Sequence, residues 1–256
     1  MHQCTTNRIK SSNKNENRNF NFASTETNTK ETEIKPDLFF CDSCDLIFSE
    51  FINEKFEDNY KEVLDDLYIS QIENKKAYFK NVIRKLSKII NKNDDVLELG
   101  SYYGAFGSEI KGKVNSYLGV ELSSHACNYA KTEFNLNVEN NNIYNFFKIN
   151  KKKFDIIFLF DVIEHLDDPD TILNICSKNL KHNGKLVLST MNMDSITAKL
   201  TGKHYPWIIP MHKFYFTNKS VKKIFLKNHL KLNKIIGDVR IISLEYLFLK
   251  ISQKVN

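Results

Sequence analysis

Residues 94–110 have the sequence DDVLELGSYYGAFGSEI, in which a short apolar run is followed by three closely spaced glycines. The run Val96–Leu99 predicts a β-strand, and Gly100, Gly104 and Gly107 lie in the loop and helix start that follow it. Open α/β sheets bind ligands at the carboxyl ends of their strands, where glycines allow close approach and a helix N-terminus favours an anionic group. The stretch therefore predicts a ligand-binding loop on an α/β fold.

An alternation of strand and helix patterns extends on both sides of this loop. The predicted strands are Val96–Leu99, Tyr117–Glu121, Phe154–Phe160 and Lys185–Thr190, with further candidates at Leu232–Asp238 and Ile242–Ile251. The predicted helices cover residues 70–91, 104–112, 123–134, 143–149, 168–181 and 217–229, and Asn183-Gly184 is expected to close the helix at 168–181. The run Phe154–Phe160 is apolar at nearly every position, as is typical of a central strand covered on both faces. The pattern predicts a doubly wound, mostly parallel α/β sheet.

The spacing of the glycines discriminates between cofactors. A dinucleotide fingerprint needs glycines at i, i+2 and i+5, but here they lie at i, i+4 and i+7, and Tyr102 stands at the second position. The pattern Glu-x-Gly-x-Gly-x-Gly fits better, because Glu98, Gly100 and Gly104 match it. The next predicted strand ends in Glu121, whose carboxylate can accept hydrogen bonds from both hydroxyls of a ribose. This combination resembles the S-adenosylmethionine site of class I methyltransferases.

Residues 154–192, beginning FDIIFLFDVIEHL, resemble the fourth strand, helix and fifth strand of the same family, and the resemblance covers nearly all of residues 93–230. It implies a seven-stranded Rossmann-like sheet whose last strand is antiparallel, with S-adenosylmethionine as cofactor. It also implies the cofactor contacts: Glu98, Gly100, Ser101 and Gly104 around the methionine, Glu121 at the ribose, Leu122 and Asn142 at the adenine, and Asp161 beside the methyl donor. Tyr102 departs from the family pattern and leaves the path of the loop open.

Methyl transfer from a sulfonium is an in-line displacement, so the protein mainly has to position the acceptor near the methyl carbon. For a hydroxyl acceptor a general base helps to remove the proton, and His165 is the first candidate because imidazole titrates near neutral pH. The alternative is that His165 orients its loop or caps the next helix. Asp161 and His212 are further catalytic candidates. His212 lies in the aromatic segment 191–217, which resembles a substrate-covering insertion, although local packing of a long connection is the alternative.

A second function for the same residues stays open. Asp161, Glu164, His165 and His212 resemble the set that binds a divalent cation in small-RNA 3′-end 2′-O-methyltransferases, in which such an ion could polarise a ribose hydroxyl. The motif D-V-I-E-H-L is also common in metal-free members of the family, and no basic surface interleaved with aromatic residues accompanies it. The sequence therefore favours a site without metal.

The N-terminal quarter differs in character from the rest. Residues 1–35 are polar and predict a flexible tail, and residues 36–60 contain Cys41 and Cys44, which resemble half of a zinc ribbon. A closed zinc site needs four ligands, and upstream only His2 and Cys4 could help, so a degenerate ribbon without metal is expected. We therefore divide the chain into a tail (1–35), a ribbon-like segment (36–60) and a methyltransferase domain (61–256).

Composition narrows the remaining choices. The 256 residues are 41% hydrophobic and 27% charged, as in a soluble globular protein, and the net charge of +6 is too small to indicate a nucleic-acid partner. The chain has neither an apolar stretch long enough for a membrane span nor a secretory signal, so a cytoplasmic location is expected. The predicted activity is methyl transfer to a small molecule, through a hydroxyl of a sugar, glycan precursor or related metabolite. A non-catalytic binding module altered at Tyr102 is a further alternative, and the oligomeric state is open.

Overall fold

The computed structural model describes residues 6–8, 36–49, 64–209 and 211–237. In chain order the strands are β1 (Thr6–Arg8), β2 (Leu38–Cys41), β3 (Leu46–Ser49), β4 (Asp95–Leu99), β5 (Ser116–Glu121), β6 (Val138–Asn140), β7 (Phe154–Phe160), β8 (Leu180–Ser189) and β9 (Phe214–Tyr215). The helices are α1 (Asp66–Ser70), α2 (Ile72–Lys85), α3 (Ala105–Ile110), α4 (Ser124–Phe134), α5 (Ile143–Ile149), α6 (Pro169–Asn179), α7 (Ile196–Thr201) and α8 (Asn218–Lys227). None of these helices is long and apolar enough to cross a membrane.

The central sheet has five parallel strands in the order β6-β5-β4-β7-β8. Successive side chains of β4 point to opposite faces, and each face carries its own core. Val96 packs with Phe106 and Ile110 of α3 on one face, while Leu97 packs with Ile172 of α6 on the other. Burial on both faces explains why β7 is apolar at almost every position. The predicted doubly wound α/β fold is confirmed.

A second, antiparallel sheet joins two distant parts of the chain. Its strand order is β1-β2-β3-β9, so the hairpin β2–β3 pairs with a strand that follows the central sheet by more than twenty residues. Asp45 in the hairpin turn forms ion pairs with Lys219 and Lys223 of α8. The ribbon-like segment thus contacts the C-terminal half of the fold through both backbone and charge.

Three details differ from the sequence predictions. The parallel sheet has five strands in the described residues, against the seven expected; residues 232–237 contain no strand, and Ile242–Ile251 lies outside the described residues. α6 ends at Asn179, and Asn183-Gly184 lies inside β8 instead of closing the helix. The cause is tertiary pairing: Leu180 already lies opposite Phe154, and an irregularity follows before the regular register begins at Ile156.

The long helix predicted at 70–91 is shorter in the structure, where α2 covers Ile72–Lys85 and a separate short helix, α1, precedes it. α1 and α2 meet at Gln71, and the chain leaves the helical conformation after Lys85. Val82 and Ile83 are the buried residues of α2, whereas α1 has none. Packing of α1 therefore depends on contacts other than a buried apolar face.

Candidate active site

The loops after β4, β5 and β7 meet at one edge of the central sheet. Leu99 lies opposite Val120 on one side and Leu159 on the other, so these three strands end side by side. The strands β5 and β6 lie on one side of β4, and β7 and β8 lie on the other, so successive strands are added in opposite directions from β4. Ligands of open α/β sheets bind at such a switch point, beyond the carboxyl ends of the strands.

Gly100 and Gly104 both have the left-handed backbone that favours glycine, with φ of 71° and 80°. A Cβ on Gly100 would lie 2.5 Å from Cγ2 of Val162, and a Cβ on Gly104 would lie 2.8 Å from Cβ of Ala130. The two glycines are therefore required by close packing of the loop against its neighbours. In particular, Gly100 brings the loop after β4 into direct contact with the loop after β7.

Glu98 and Ser101 lie buried beside this loop. The hydroxyl of Tyr117 donates a hydrogen bond to Oε2 of Glu98, and burial raises the pKa of Glu98 to about 8. Oγ of Ser101 is buried near the hydroxyl of Tyr117, but it makes no hydrogen bond of normal geometry among the described residues. A buried hydroxyl of this kind is normally satisfied, so Ser101 fits a ligand that supplies a polar atom at this point.

Glu121 ends β5 and is buried. Its Oε1 accepts the backbone N–H of Ser123 and its Oε2 that of Tyr102, both at 2.7 Å. Burial is the largest influence on this carboxyl and raises its pKa to about 7, although these N–H donors favour the charged form. Each carboxylate oxygen has two acceptor positions, so both oxygens can also accept a ribose hydroxyl.

The two positions expected at the adenine lie close to Glu121. Leu122 follows it directly and is half-buried, and Asn142 caps α5 by accepting the backbone N–H of Tyr144. Asn140, which the sequence analysis missed, donates from its side chain to the carbonyls of Glu121 and Leu122 and so fixes the loop after β5. An exposed asparagine at the end of a three-residue strand gives no signal of that role in the sequence.

Asp161 follows β7 with a left-handed backbone, at φ of 54°. Its Oδ1 accepts a hydrogen bond from the hydroxyl of Ser189 at 2.9 Å. Its backbone N–H donates to Oγ of the same serine, the last residue of β8, at 3.2 Å. Ser189 was not singled out from the sequence. The pair fixes the carboxylate of Asp161 at the edge where β7 and β8 end.

His165 and His212 come from distant parts of the chain but lie together, with ring centroids 4.7 Å apart. Nδ1 of His165 lies 3.0 Å from the carbonyl of Met211, and Nδ1 of His212 lies 2.8 Å from the carbonyl of Trp207. A carbonyl only accepts, so both Nδ1 atoms carry a proton and donate, and the lone pair of a neutral ring is then on Nε2. Burial lowers the pKa of His165 to about 4, so this imidazole is neutral at physiological pH.

The side chain of Glu164 lies close to those of the two histidines. One possible ligand atom from each of Glu164, His165 and His212 lies within 4.8 Å of the others, and no further group of three or more such side chains occurs in the described ranges. Two imidazoles and a carboxylate are a suitable donor set for a first-row transition metal ion. Cys41 and Cys44 are thiols in the hairpin and belong to no such cluster there.

The hairpin reaches this histidine pair. Oγ of buried Ser49 donates to the carbonyl of His212 at 2.9 Å, and the backbone of Lys213 bonds to both Ser49 and Glu164. The segment 191–217 packs Tyr205, Ile208 and Tyr215 into a buried cluster that includes hairpin residues, whereas Ile196, Leu200 and Trp207 are exposed. Part of this segment therefore serves packing, and part faces solvent.

Comparison with known proteins agrees with this geometry. A family model described as a methyltransferase domain matches residues 69–234. The chain is 27% identical over 160 residues to a ubiquinone biosynthesis O-methyltransferase of Pelagibacter ubique, which covers 57% of this chain and 65% of that protein. It is 34% identical over 91 residues to the mitochondrial enzyme of that name from Schizosaccharomyces pombe, covering 34% of this chain and 33% of the relative. The chain thus matches less than two thirds of the length of these relatives.

Solved structures show the same fold. A methyltransferase dependent on S-adenosylmethionine from Archaeoglobus fulgidus superposes with a TM-score of 0.53 at 18% identity, over 75% of this chain and 91% of that one. A methyltransferase from Haloferax volcanii, in complex with the Trm112 activator, superposes with a TM-score of 0.54 at 14% identity, over 69% and 81%. Given this fold and the family match, the chain belongs to the class I methyltransferases, enzymes whose cofactor is S-adenosylmethionine.

Proposed function

We propose that this enzyme methylates a hydroxyl group of a small-molecule acceptor. The observation that carries the proposal is the contact between the imidazoles of His165 and His212, of which His165 lies in the loop after β7 whose Val162 packs against Gly100. An oxygen acceptor must lose its proton, and the neutral imidazole of His165 is a side chain suited to accept it. The names of the relatives, which are O-methyltransferases, support oxygen as the acceptor atom.

The cofactor residues of this proposal are those expected from the resemblance: Glu98, Gly100, Ser101, Gly104, Glu121, Leu122, Asn142 and Asp161. When bound, S-adenosylmethionine supplies an electrophilic methyl group for in-line attack by the acceptor oxygen. Glu121 would hold the ribose hydroxyls, and Ser101 would satisfy its buried hydroxyl on the methionine moiety. Asp161, held by Ser189, would orient the acceptor, and Nε2 of His165 would receive its proton.

The weak basicity of His165 bears on the acceptor class. A base whose conjugate acid has a pKa of about 4 removes a phenolic proton, with a pKa near ~10, more readily than the much less acidic proton of a sugar alcohol. Sugars and glycan precursors remain within the proposal, but the electrostatics favour a phenol or catechol. A cytoplasmic location also belongs to it, supported by the thiols of Cys41, Cys44, Cys127 and Cys176.

The test is a panel of acceptors with methyl-labelled cofactor and the full chain. It contains catechols, simple phenols, sugar nucleotides, primary amines and a short RNA with a 3′-terminal ribose, and mass spectrometry locates the methyl group in each product. O-methylated small molecules support the proposal, and phenols are expected to react faster than sugars. Products methylated only on nitrogen or carbon, or on RNA alone, contradict it.

A metal-assisted version of the same reaction is a second candidate, because Glu164, His165 and His212 present ligand atoms within 4.8 Å of one another. A divalent cation held there would lower the pKa of the acceptor hydroxyl and make a strong base unnecessary. The cluster is evidence for a bound cation, but it gives no evidence that the methyl acceptor is RNA. Elemental analysis of the dialysed enzyme and activity after chelation test it, with His182→Gln as an exposed control. Stoichiometric metal that Glu164→Gln removes would support this version, whereas full activity after chelation would exclude it.

We also propose that the methyltransferase domain covers 61–256, after a tail (1–35) and a ribbon-like segment (36–60). The boundary at residue 60 is less sharp than the sequence suggests, because Ser49 of the hairpin β2–β3 forms hydrogen bonds with the backbone of His212 and Lys213.

A further inference from the structure

Tyr102 stands where the second glycine of the cofactor loop is expected. Its φ is 46°, a left-handed backbone that typically costs a residue with a side chain about 1 kcal/mol or more. Such a conformation persists when surrounding contacts hold it. The contacts of Tyr102 show what this substitution adds to the loop.

The backbone and the side chain of Tyr102 bond in different directions. Its N–H donates to Oε2 of Glu121, the carboxylate suited to the ribose, at 2.7 Å. Its hydroxyl donates to Oδ2 of Asp65, also at 2.7 Å. One residue thus connects the cofactor carboxylate to the residue that starts α1.

Asp65 uses its other polar groups at the same junction. Its Oδ1 accepts the N–H of Tyr68 and caps α1, and its backbone N–H donates to the hydroxyl of Tyr103 at 2.9 Å. The ring of Tyr102 packs edge-on against Tyr68 and Tyr103, with centroids 4.6 Å away in each case. α1 has no buried residue, and these hydrogen bonds and ring contacts attach it to the loop.

We propose that Tyr102 is a positioning residue: it holds α1 in place beside the residues that would bind the ribose, and so slows dissociation of the cofactor. The hydrogen bond from the hydroxyl of Tyr102 to the carboxylate of Asp65 holds α1. The hydrogen bond from the backbone N–H of Tyr102 to Glu121 links α1 to the carboxylate that would bind the ribose. This inference rests on the cofactor assignment and is independent of the methyl acceptor.

The expected cost of the tyrosine makes the test sharp. Tyr102→Gly restores the family residue and relieves the left-handed backbone, so a merely tolerated tyrosine predicts equal or tighter binding in that variant. If Tyr102 instead holds α1 in place, Tyr102→Gly should bind the cofactor more weakly, even though the backbone strain is relieved. Tyr102→Phe removes only the hydroxyl bond to Asp65 and keeps the ring contacts.

The experiment measures association and dissociation of S-adenosylhomocysteine with the full chain by stopped flow, and amide exchange of residues 64–70. Tyr129→Phe is the matched control, because its ring packs against Tyr103 but its hydroxyl makes no hydrogen bond within the described residues. We expect Tyr102→Phe to dissociate about tenfold faster with faster exchange in α1, Tyr102→Gly to bind more weakly still, and Tyr129→Phe to match the parent.

Equal dissociation rates in Tyr102→Phe and the parent, or tighter binding by Tyr102→Gly, would overturn the inference. A general loss of folding is separated from it by the melting temperature, which Tyr102→Phe should leave within a few degrees. A parent chain that does not bind S-adenosylhomocysteine at all would overturn the cofactor assignment itself, and binding without transfer to any hydroxyl would overturn only the proposed acceptor.

Discussion

The rings of His165 and His212 lie edge to face, with centroids 4.7 Å apart and ring planes at 69°, and a backbone carbonyl holds each ring at Nδ1. The two carbonyls fix both tautomers. Such a pair can accept a proton or hold a cation, and the two roles respond differently to substitution.

If His165 is the base, His165→Gln should lower kcat by about 10²- to 10⁴-fold, the usual contribution of general base catalysis. The KM for the cofactor should change little, because the imidazole acts on the acceptor. Steady-state kinetics with the acceptor found by the panel would measure this, with His182→Gln as the control. Activity within twofold of the parent would show that the reaction needs no base at this position.

The low pKa of His165 also predicts a pH effect on stability. Its pKa is about 4 in the folded chain and near ~6.5 in the unfolded chain, so between these values the unfolded state binds more protons. This histidine therefore opposes folding as the pH falls from 6.5 towards 4. Urea unfolding at pH 7 and pH 5 should show a larger acid loss in the parent than in His165→Gln. An equal loss in the two proteins would contradict the low pKa.

Glu121 predicts that cofactor affinity rises with pH. The ribose hydroxyls donate to the ionised carboxylate, whereas the pKa of about 7 leaves much of it protonated at pH 6. The dissociation constant of S-adenosylhomocysteine should therefore increase as the pH falls from 8 to 6, with proton release on binding. Calorimetry in buffers of different ionisation enthalpy measures both quantities.

One variant and one control test whether Glu121 is the group that titrates, because the pKa of Glu98, about 8, lies in the same range. Glu121→Gln should bind more weakly and lose most of the pH dependence. Glu139→Gln, an exposed carboxylate on β6, should behave as the parent. An unchanged pH dependence in Glu121→Gln would assign the titration to another group.

The contact between Gly100 and Val162 predicts a strong effect of one methyl group. Gly100→Ala places Cβ 2.5 Å from Val162 and also requires alanine at φ of 71°, so we expect a loss of about 2–4 kcal/mol from overpacking and backbone strain together. Gly112→Ala is the control, since nothing lies within 4 Å of its Cβ position. Val162→Ala combined with Gly100→Ala should recover part of the loss, and additive effects of the two substitutions would argue against the contact.

Local patterns in the sequence carry most of the central fold. The bounds of β4, β5 and β7 are predicted within one residue, because each strand contains a short apolar run and β7 is apolar at every position except Asp155. The start of β8 was wrong, because the pairing of Leu180 with Phe154 depends on a neighbouring strand and not on the residues around 180. β9 has only two residues and a distant partner, so no local pattern could reveal it.

The candidate site divides in the same way. Glu98, Gly100, Gly104 and Glu121 follow from spacing after predicted strands, and the structure brings them to one edge of the sheet. The approach of His212 to His165 depends on the path of the segment 191–217, which has no periodic pattern. The bond from Tyr102 to Asp65 joins the loop to a helix start that lies before the predicted helix at 70–91, and no helix pattern in the sequence marks it.

The pairing of β3 with β9 has a practical consequence for anyone who shortens the protein. A truncation beginning at residue 61, the boundary that the sequence favours, would remove β2 and β3 and leave the backbone groups of β9 as an open sheet edge. It would also expose Tyr215 and Phe216, which are buried in the intact fold, and take away the hydroxyl of Ser49 from the carbonyl of His212. A protein trimmed in this way is expected to self-associate and to purify poorly, so preparations for crystallisation or assay should retain residues 36–49.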